Sequence, residues 1–241
     1  MIVHARHDER GKLKYGKKGD QTGGEVKITP WIYFKQNVVL RPIDKSIGNK
    51  MVEAGKWLAR SNFVGYDQAN RLTLFKELEK IDFDYTRLKK KCECDCSAFI
   101  NCLANIAGIS VDENLRTKNM KAPYLKTKKF KALTARKYLK SDKWLRKGDI
   151  VLAEGRHVVL VCTDGEKVQK RYNRRLIGKY MVTSKNLNLR TGAGLKYTIK
   201  KKLHKNDVVI CTGYYFPKWY QVSSGTMKGW VRKKYLKRIY Q

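Results

Sequence analysis

The chain has 241 residues, enough for one or two domains with a substantial core. It carries 54 Lys and Arg against 21 Asp and Glu, a formal charge of +33, yet 42% of its residues are hydrophobic and 11% aromatic, which excludes a disordered basic tail. No run approaches the roughly 18–20 apolar residues of a membrane span, and Met1-Ile-Val-His-Ala-Arg-His lacks the apolar stretch of a signal peptide, so the expectation is a soluble protein made in the cytosol.

Such a charge selects polyanions: nucleic acid, an acidic membrane face or the anionic wall of a bacterium. The first forty residues are rich in glycine and charge and read as loops with one or two short strands, around Trp31-Ile-Tyr-Phe and Val38-Val-Leu. Apolar residues at three- and four-residue steps predict helices over 47–61 and 67–80. A third helix is expected over 97–107, with Phe99, Ile100, Leu103 and Ile106 on one stripe and Gly108 at its end. A basic, loop-like stretch (118–140) follows, and then two β-rich runs, Ile150-Val-Leu-Ala-Glu and His157-Val-Val-Leu-Val-Cys-Thr. Asp164-Gly165 predicts a hairpin turn into Glu166-Lys-Val-Gln. Residues 171–179 read as a basic linker. From 180 to 241 short alternating runs broken by glycines predict a small all-β barrel, which holds 14 Lys and Arg against one Asp.

Six cysteines, Cys92, Cys94, Cys96, Cys102, Cys162 and Cys211, are too few for a disulfide scaffold, but four of them crowd into eleven residues. Metal, redox, nucleophile or chance are the physical explanations, and C-x-C-x-C is poor spacing for zinc. Asp95-Cys96-Ser97 opens the third helix, where unpaired N–H groups and the positive dipole end favour a thiolate. A thiol hydrolase also needs a base. Of the four histidines, His4 and His7 lie in the irregular amino-terminal stretch and His204 in the barrel, which leaves His157 at the start of a strand. Gln169, one hairpin later, is the candidate to orient the imidazole. Taken singly, each also reads as an ordinary structural residue.

Asp95-Cys96-Ser97-Ala98-Phe99-Ile100, Leu145-Arg-Lys-Gly-Asp-Ile-Val-Leu and His157-Val-Val-Leu-Val resemble the nucleophile, Gly-Asp and histidine motifs of NlpC/P60-type cysteine peptidases of the papain-like superfamily. Asp8-Glu-Arg-Gly, Gly19-Asp-Gln-Thr-Gly, Val38-Val-Leu-Arg-Pro and Gly65-Tyr-Asp-Gln are similar to segments of phage and prophage wall amidohydrolases of this type, so the likeness covers roughly 1–170. The resemblance implies an α+β catalytic domain over 1–170, helices packed on an antiparallel sheet, with Cys96 as nucleophile, His157 as base and Gln169 as the orienting group. It also implies a tyrosine at the oxyanion site, for which Tyr85 is the nearest upstream candidate, beside Asp95 and Ser97.

Leu187-Asn-Leu-Arg-Thr-Gly-Ala-Gly, Gly229-Trp-Val and Tyr235-Leu resemble the opening and ending of a bacterial SH3 (SH3b) domain over 180–241. The pair implies an endolysin: a cysteine peptidoglycan amidohydrolase, cutting within the stem peptide, for instance after γ-D-glutamate. It would need no metal or cofactor, would be held on peptidoglycan and anionic wall polymers by its SH3b domain, and would reach the wall through a separate membrane lesion. Two rivals stand beside it. One is an N-acetylmuramoyl-L-alanine amidase using the same residues; the other is a nucleic-acid-binding protein with a cysteine-ligated metal. Nucleic acid is not the expected partner, because charge and aromatics are nonspecific cues while two separate motifs point to the wall.

Overall fold

The computed structural model describes residues 1–165, 168, 171–216 and 218–239. They divide into two compact units, Met1–Val168 and Gln169–Gln241. With strands and helices numbered in chain order, the first unit is built on a six-stranded antiparallel sheet of β1 (Ile2–Ala5), β2 (Val26–Thr29), β3 (Val38–Pro42), β6 (Phe130–Leu133), β7 (Ile150–Ala153) and β8 (His157–Val161). Its order is β2-β1-β8-β7-β3-β6. The amino-terminal stretch, expected to be mostly loop, thus supplies half of the sheet. β1 is buried at all four residues and β3 at four of five, so neither shows the in–out alternation that marks a half-exposed strand.

Helices α1 (Lys45–Leu58), α2 (Thr73–Glu79) and α3 (Cys96–Ile106) enclose the main core, in which Met51 and Leu58 of α1 and Phe99 and Leu103 of α3 meet Val3, Val158 and Leu160 of the sheet. On the other face Ile2, Val39, Val151, Val159 and Val161 form a smaller cluster beneath Trp31 and Phe34. The second helix is shorter than its periodicity predicts. Asp67 accepts from the Ala69 backbone N–H and the Asn70 side chain, an Asx turn that holds 67–70 out of the helix. The stretch 118–140, expected as loop, contains α4 (Lys121–Lys126), edge strand β6 and α5 (Arg136–Leu139). A parallel pair, β4 (Val64–Tyr66) and β5 (Cys92–Cys94), leads into α3.

The Lys147-Gly148-Asp149 motif is explained by packing. Gly148 has φ +88° and its Cα lies against Gly48 of α1, where a Cβ would come within 2.3 Å of the Gly48 Cα. Asp149 receives two hydrogen bonds from Arg41 on β3, at 2.8 and 2.6 Å, and is fully buried. Burial pushes its carboxyl up and Arg41 pulls it down. The strand expected over 166–169 falls outside the described residues apart from Val168.

The second unit is all-β: β9 (Arg171–Tyr172), β10 (Gly178–Val182), β11 (Asn186–Arg190), β12 (Ile199–His204), β13 (Val208–Phe216), β14 (Trp219–Ser224), β15 (Met227–Arg232) and β16 (Leu236–Arg238). Seven of these run in the order β12-β11-β15-β14-β13-β10-β16, with β9 paired to β13, around Val182, Leu187, Leu189, Leu203, Val222 and Val231. Residues 171–179 are therefore not a free linker. β9 pairs with β13, Asn173 caps a 3-10 turn, and β10 begins at Gly178. The architecture is an α+β unit followed by a small all-β unit. No described helix is long and apolar enough to cross a membrane.

Candidate active site

Asp95 is the N-cap of α3, accepting from the Ala98 N–H at 2.7 Å, so the chain turns into the helix with Cys96 in its first turn. The carboxylate is itself held by Arg71, whose Nε donates to Asp95 Oδ2 at 2.6 Å. The same guanidinium donates to Ser97 Oγ at 3.1 Å and to the Leu115 carbonyl at 2.9 Å. Asp95 and Ser97 are both nearly inaccessible, and their side chains are spent on fixing the helix start. Cys96, with Asp95 and Ser97 beside it, lies on the wall of an open cleft of about 440 Å³, shared with Gln68, Arg116, Lys118, Gly155 and Arg156.

Backbone N–H groups of Val158, Ser97 and Cys96 converge on the Cys96 thiol and favour its anion. Burial, with the Asp95 charge as a second cause, outweighs them and pushes the thiol up to about 12. Val158 belongs to β8, against which α3 packs. The β1–β8 ladder holds two pairs, Ile2 with Val161 and Val3 with Leu160, so the start of β8 lies past its last partner.

Across that gap stand two histidines. His157 opens β8 behind a tight turn at Gly155 (φ +76°), and its Nε2 lies 2.9 Å from Nδ1 of His4 on β1. Their rings meet edge to face, and the Phe34 ring meets His157 in the same way with centroids 5.3 Å apart. Burial lowers His157 to about 4, helped by Arg6, and lowers His4 to about 3, helped by His157. Both imidazoles are neutral at neutral pH. Among the described residues no hydrogen bond joins Cys96 to His157; what links them is the Val158 amide beside the thiol.

Gln169, expected to orient the imidazole, lies outside the described residues. Tyr85 sits in a 3-10 turn with its ring against Trp57, centroids 5.7 Å apart. The tyrosine within electrostatic reach of Cys96 is Tyr66, pushed up by burial and then by the cysteine, with its hydroxyl receiving Gln68 Nε2 at 3.0 Å. Sequence reading passed over His4, Tyr66, Gln68 and Arg71. The Gly65-Tyr-Asp-Gln segment carried a signal for two of them, whereas His4 had none, because its strand was read as loop.

The other clustered cysteines are core residues. Cys92 and Cys94 donate to the Phe63 and Gly65 carbonyls, and burial pushes Cys92 up to about 12 and Cys94 and Cys102 well above the usual thiol range. All six cysteines are free thiols, and no three described His, Cys, Asp or Glu side chains are arranged to hold a metal ion. Compared with known families, residues 2–168 match the endolysin-like domain and residues 185–237 match the bacterial SH3 domain. No curated protein matches the chain.

Proposed function

The chain belongs to the endolysin-like domain family and ends in a bacterial SH3 domain, the make-up of a cell-wall hydrolase with a wall-binding module, and from this premise we propose that it cleaves a peptidoglycan amide through Cys96 and His157. The observation that carries the reading is the placement of Cys96. Its thiol sits at the start of a helix, on the wall of an open cleft, with three backbone N–H groups around it.

In this mechanism the thiol and the imidazole rest as a neutral pair. As a stem-peptide carbonyl enters, the thiol proton passes to His157 Nδ1 while Sγ bonds to the carbonyl carbon. The oxyanion is held by the helix-start N–H groups, with the Gln68 amide, on the same cleft wall, as a side-chain donor. Collapse breaks the C–N bond, and the imidazolium returns its proton to the leaving amine. Water, deprotonated by His157, then releases the acyl group as a carboxylic acid and restores the thiol. Arg116, Lys118 and Arg156 give the cleft a cationic rim suited to an anionic polymer.

The bond we assign lies within the stem peptide, such as γ-D-glutamyl-diamino acid. Cleavage of N-acetylmuramoyl-L-alanine by the same residues is the alternative, and mass spectrometry of digested wall separates the two: truncated stems stay on the glycan in the first case, and whole stems are released in the second. Cys96→Ala is expected to abolish clearing of Gram-positive walls while the protein still sediments with them. Clearing by the variant, or loss of wild-type clearing to a chelator alone, overturns the cysteine mechanism.

A further inference from the structure

We propose that Thr29 and the Pro30 carbonyl, acting through His4, set the tautomer of His157 and so decide which of its nitrogens is the base. The proposal rests on the reading of His157 as the general base. It follows a chain of hydrogen bonds whose direction depends on where the Thr29 hydroxyl proton points. Thr29 Oγ1 lies 3.1 Å from the Pro30 carbonyl oxygen, which can only accept, and 3.4 Å from His4 Nε2, which can do either; we place the single hydroxyl proton on the shorter contact. Toward His4 the hydroxyl oxygen has only lone pairs left. With the proton so placed, His4 Nε2, 3.4 Å away, is the donor of this pair.

His4 is a buried neutral imidazole and holds one proton, so its Nδ1 is bare. The 2.9 Å contact from that Nδ1 to His157 Nε2 is therefore an N–H donated by His157. His157, neutral in turn, keeps Nδ1 unprotonated, and Nδ1 makes no hydrogen bond among the described residues. It is free to take the thiol proton. With the hydroxyl turned the other way, every bond reverses: Thr29 donates to His4, His4 Nδ1–H donates to His157, and His157 is left protonated at Nδ1 with no lone pair there. One carbonyl three groups away separates a base from a blocked ring. Thr29 and His4 are positioning residues in this scheme. β1 and β2 are the strands that carry them, and pairing of His4 with Lys27 and Ile2 with Thr29 places Thr29 diagonally across from His4.

The test is long-range 1H–15N NMR of the imidazole nitrogens in the full chain at neutral pH, read beside wall-clearing rates. The wild type should show His157 and His4 both protonated at Nε2. In Thr29→Val, which keeps the shape and loses the hydroxyl, His4 should divide between tautomers and His157 should lose part of its Nε2–H signal. Clearing should fall by about three- to tenfold, the range expected for one neutral hydrogen bond with its weakest link at 3.4 Å. Thr29→Ser should restore both readouts. Wild-type His157 protonated at Nδ1, or imidazole signals unchanged in Thr29→Val, overturns the proposal whatever the activity. Failure of the underlying reading looks different: the tautomers stand as stated, but Cys96→Ala or His157→Ala still clears walls.

Discussion

Two neutral histidines in contact, both poorly exposed and both near Arg6, impose a pH dependence on the fold itself. His157 is held near 4 and His4 near 3, against about 6.5 in an unfolded chain. Above pH 6.5 neither state binds these protons and the histidines leave stability unchanged. As pH falls from 6.5 towards 3, the unfolded chain takes up protons that the folded one refuses, and stability is lost. Glu93 works in the opposite sense: burial raises it to about 8, so the stability it contributes is present below the ordinary carboxylate range and is lost as pH rises through 8. The difference between wild type and His157→Gln therefore isolates the histidine. Between pH 7.5 and 4.5 the wild type should lose about 2 kcal/mol relative to the variant in urea unfolding; a constant difference would mean that His157 is not desolvated. Cys96 and His157 were legible as residues because each begins an element with a recognisable pattern. His4 was not, since a four-residue buried strand carries no alternation and the meeting of residues 4 and 157 is a property of the sheet.

At the scale of the element, the start of α3 combines three jobs in one carboxylate: Asp95 caps the helix, neutralises the buried Arg71, and places a negative charge beside the thiol. Asp95→Asn separates them. Asparagine still caps, so α3 should persist, but Arg71 loses its ionic partner in a buried setting, at a cost of about 2–4 kcal/mol. Removal of the charge also withdraws the second cause that raises Cys96, so the thiol pKa should drop. The rate of alkylation by iodoacetamide, followed against pH, measures this directly, and an unchanged or raised thiol pKa would show that the Asp95 charge does not act on the sulfur. Helices α1 and α3 were readable because their apolar residues recur at helical steps over three or four turns. The start of α2 was not, because a side-chain turn at Asp67 competes with the helix, and the pairing of Asp95 with Arg71 was hidden because Arg71 lies 24 residues upstream. The Gly-Asp pair at 148 and 149 was read as a motif, while its reason, contact with Gly48 and the ion pair to Arg41, depends on elements a hundred residues away.

Across the whole molecule, the charge is uneven in a way that assigns work to the two units. Between 169 and 241 there are 19 Lys and Arg and a single Asp, whereas nearly all the acidic residues, including the buried Asp8, Asp20, Glu25 and Glu93, lie in the first unit. The all-β unit was legible from its short alternating runs and glycines, and its start was not, since 171–172 and 178–179 pair with β13 within a composition that reads as linker. If anionic wall polymers are the partner of so cationic a chain, the attraction acts over roughly a Debye length, about 10 Å at 0.1 M salt and 3 Å at 1 M, and its long-range part should collapse as salt rises. A bacterial SH3 domain that also grips peptide by shape and hydrogen bonds should retain what salt cannot screen. Sedimentation of the Cys96→Ala protein with Gram-positive walls should therefore weaken at least tenfold between 0.05 and 0.5 M NaCl and then level off. Walls stripped of teichoic acid should show only the level part. Binding that vanishes entirely at high salt would mean that charge alone holds the protein on the wall; binding indifferent to salt would mean that the excess of Lys and Arg serves something other than wall attachment.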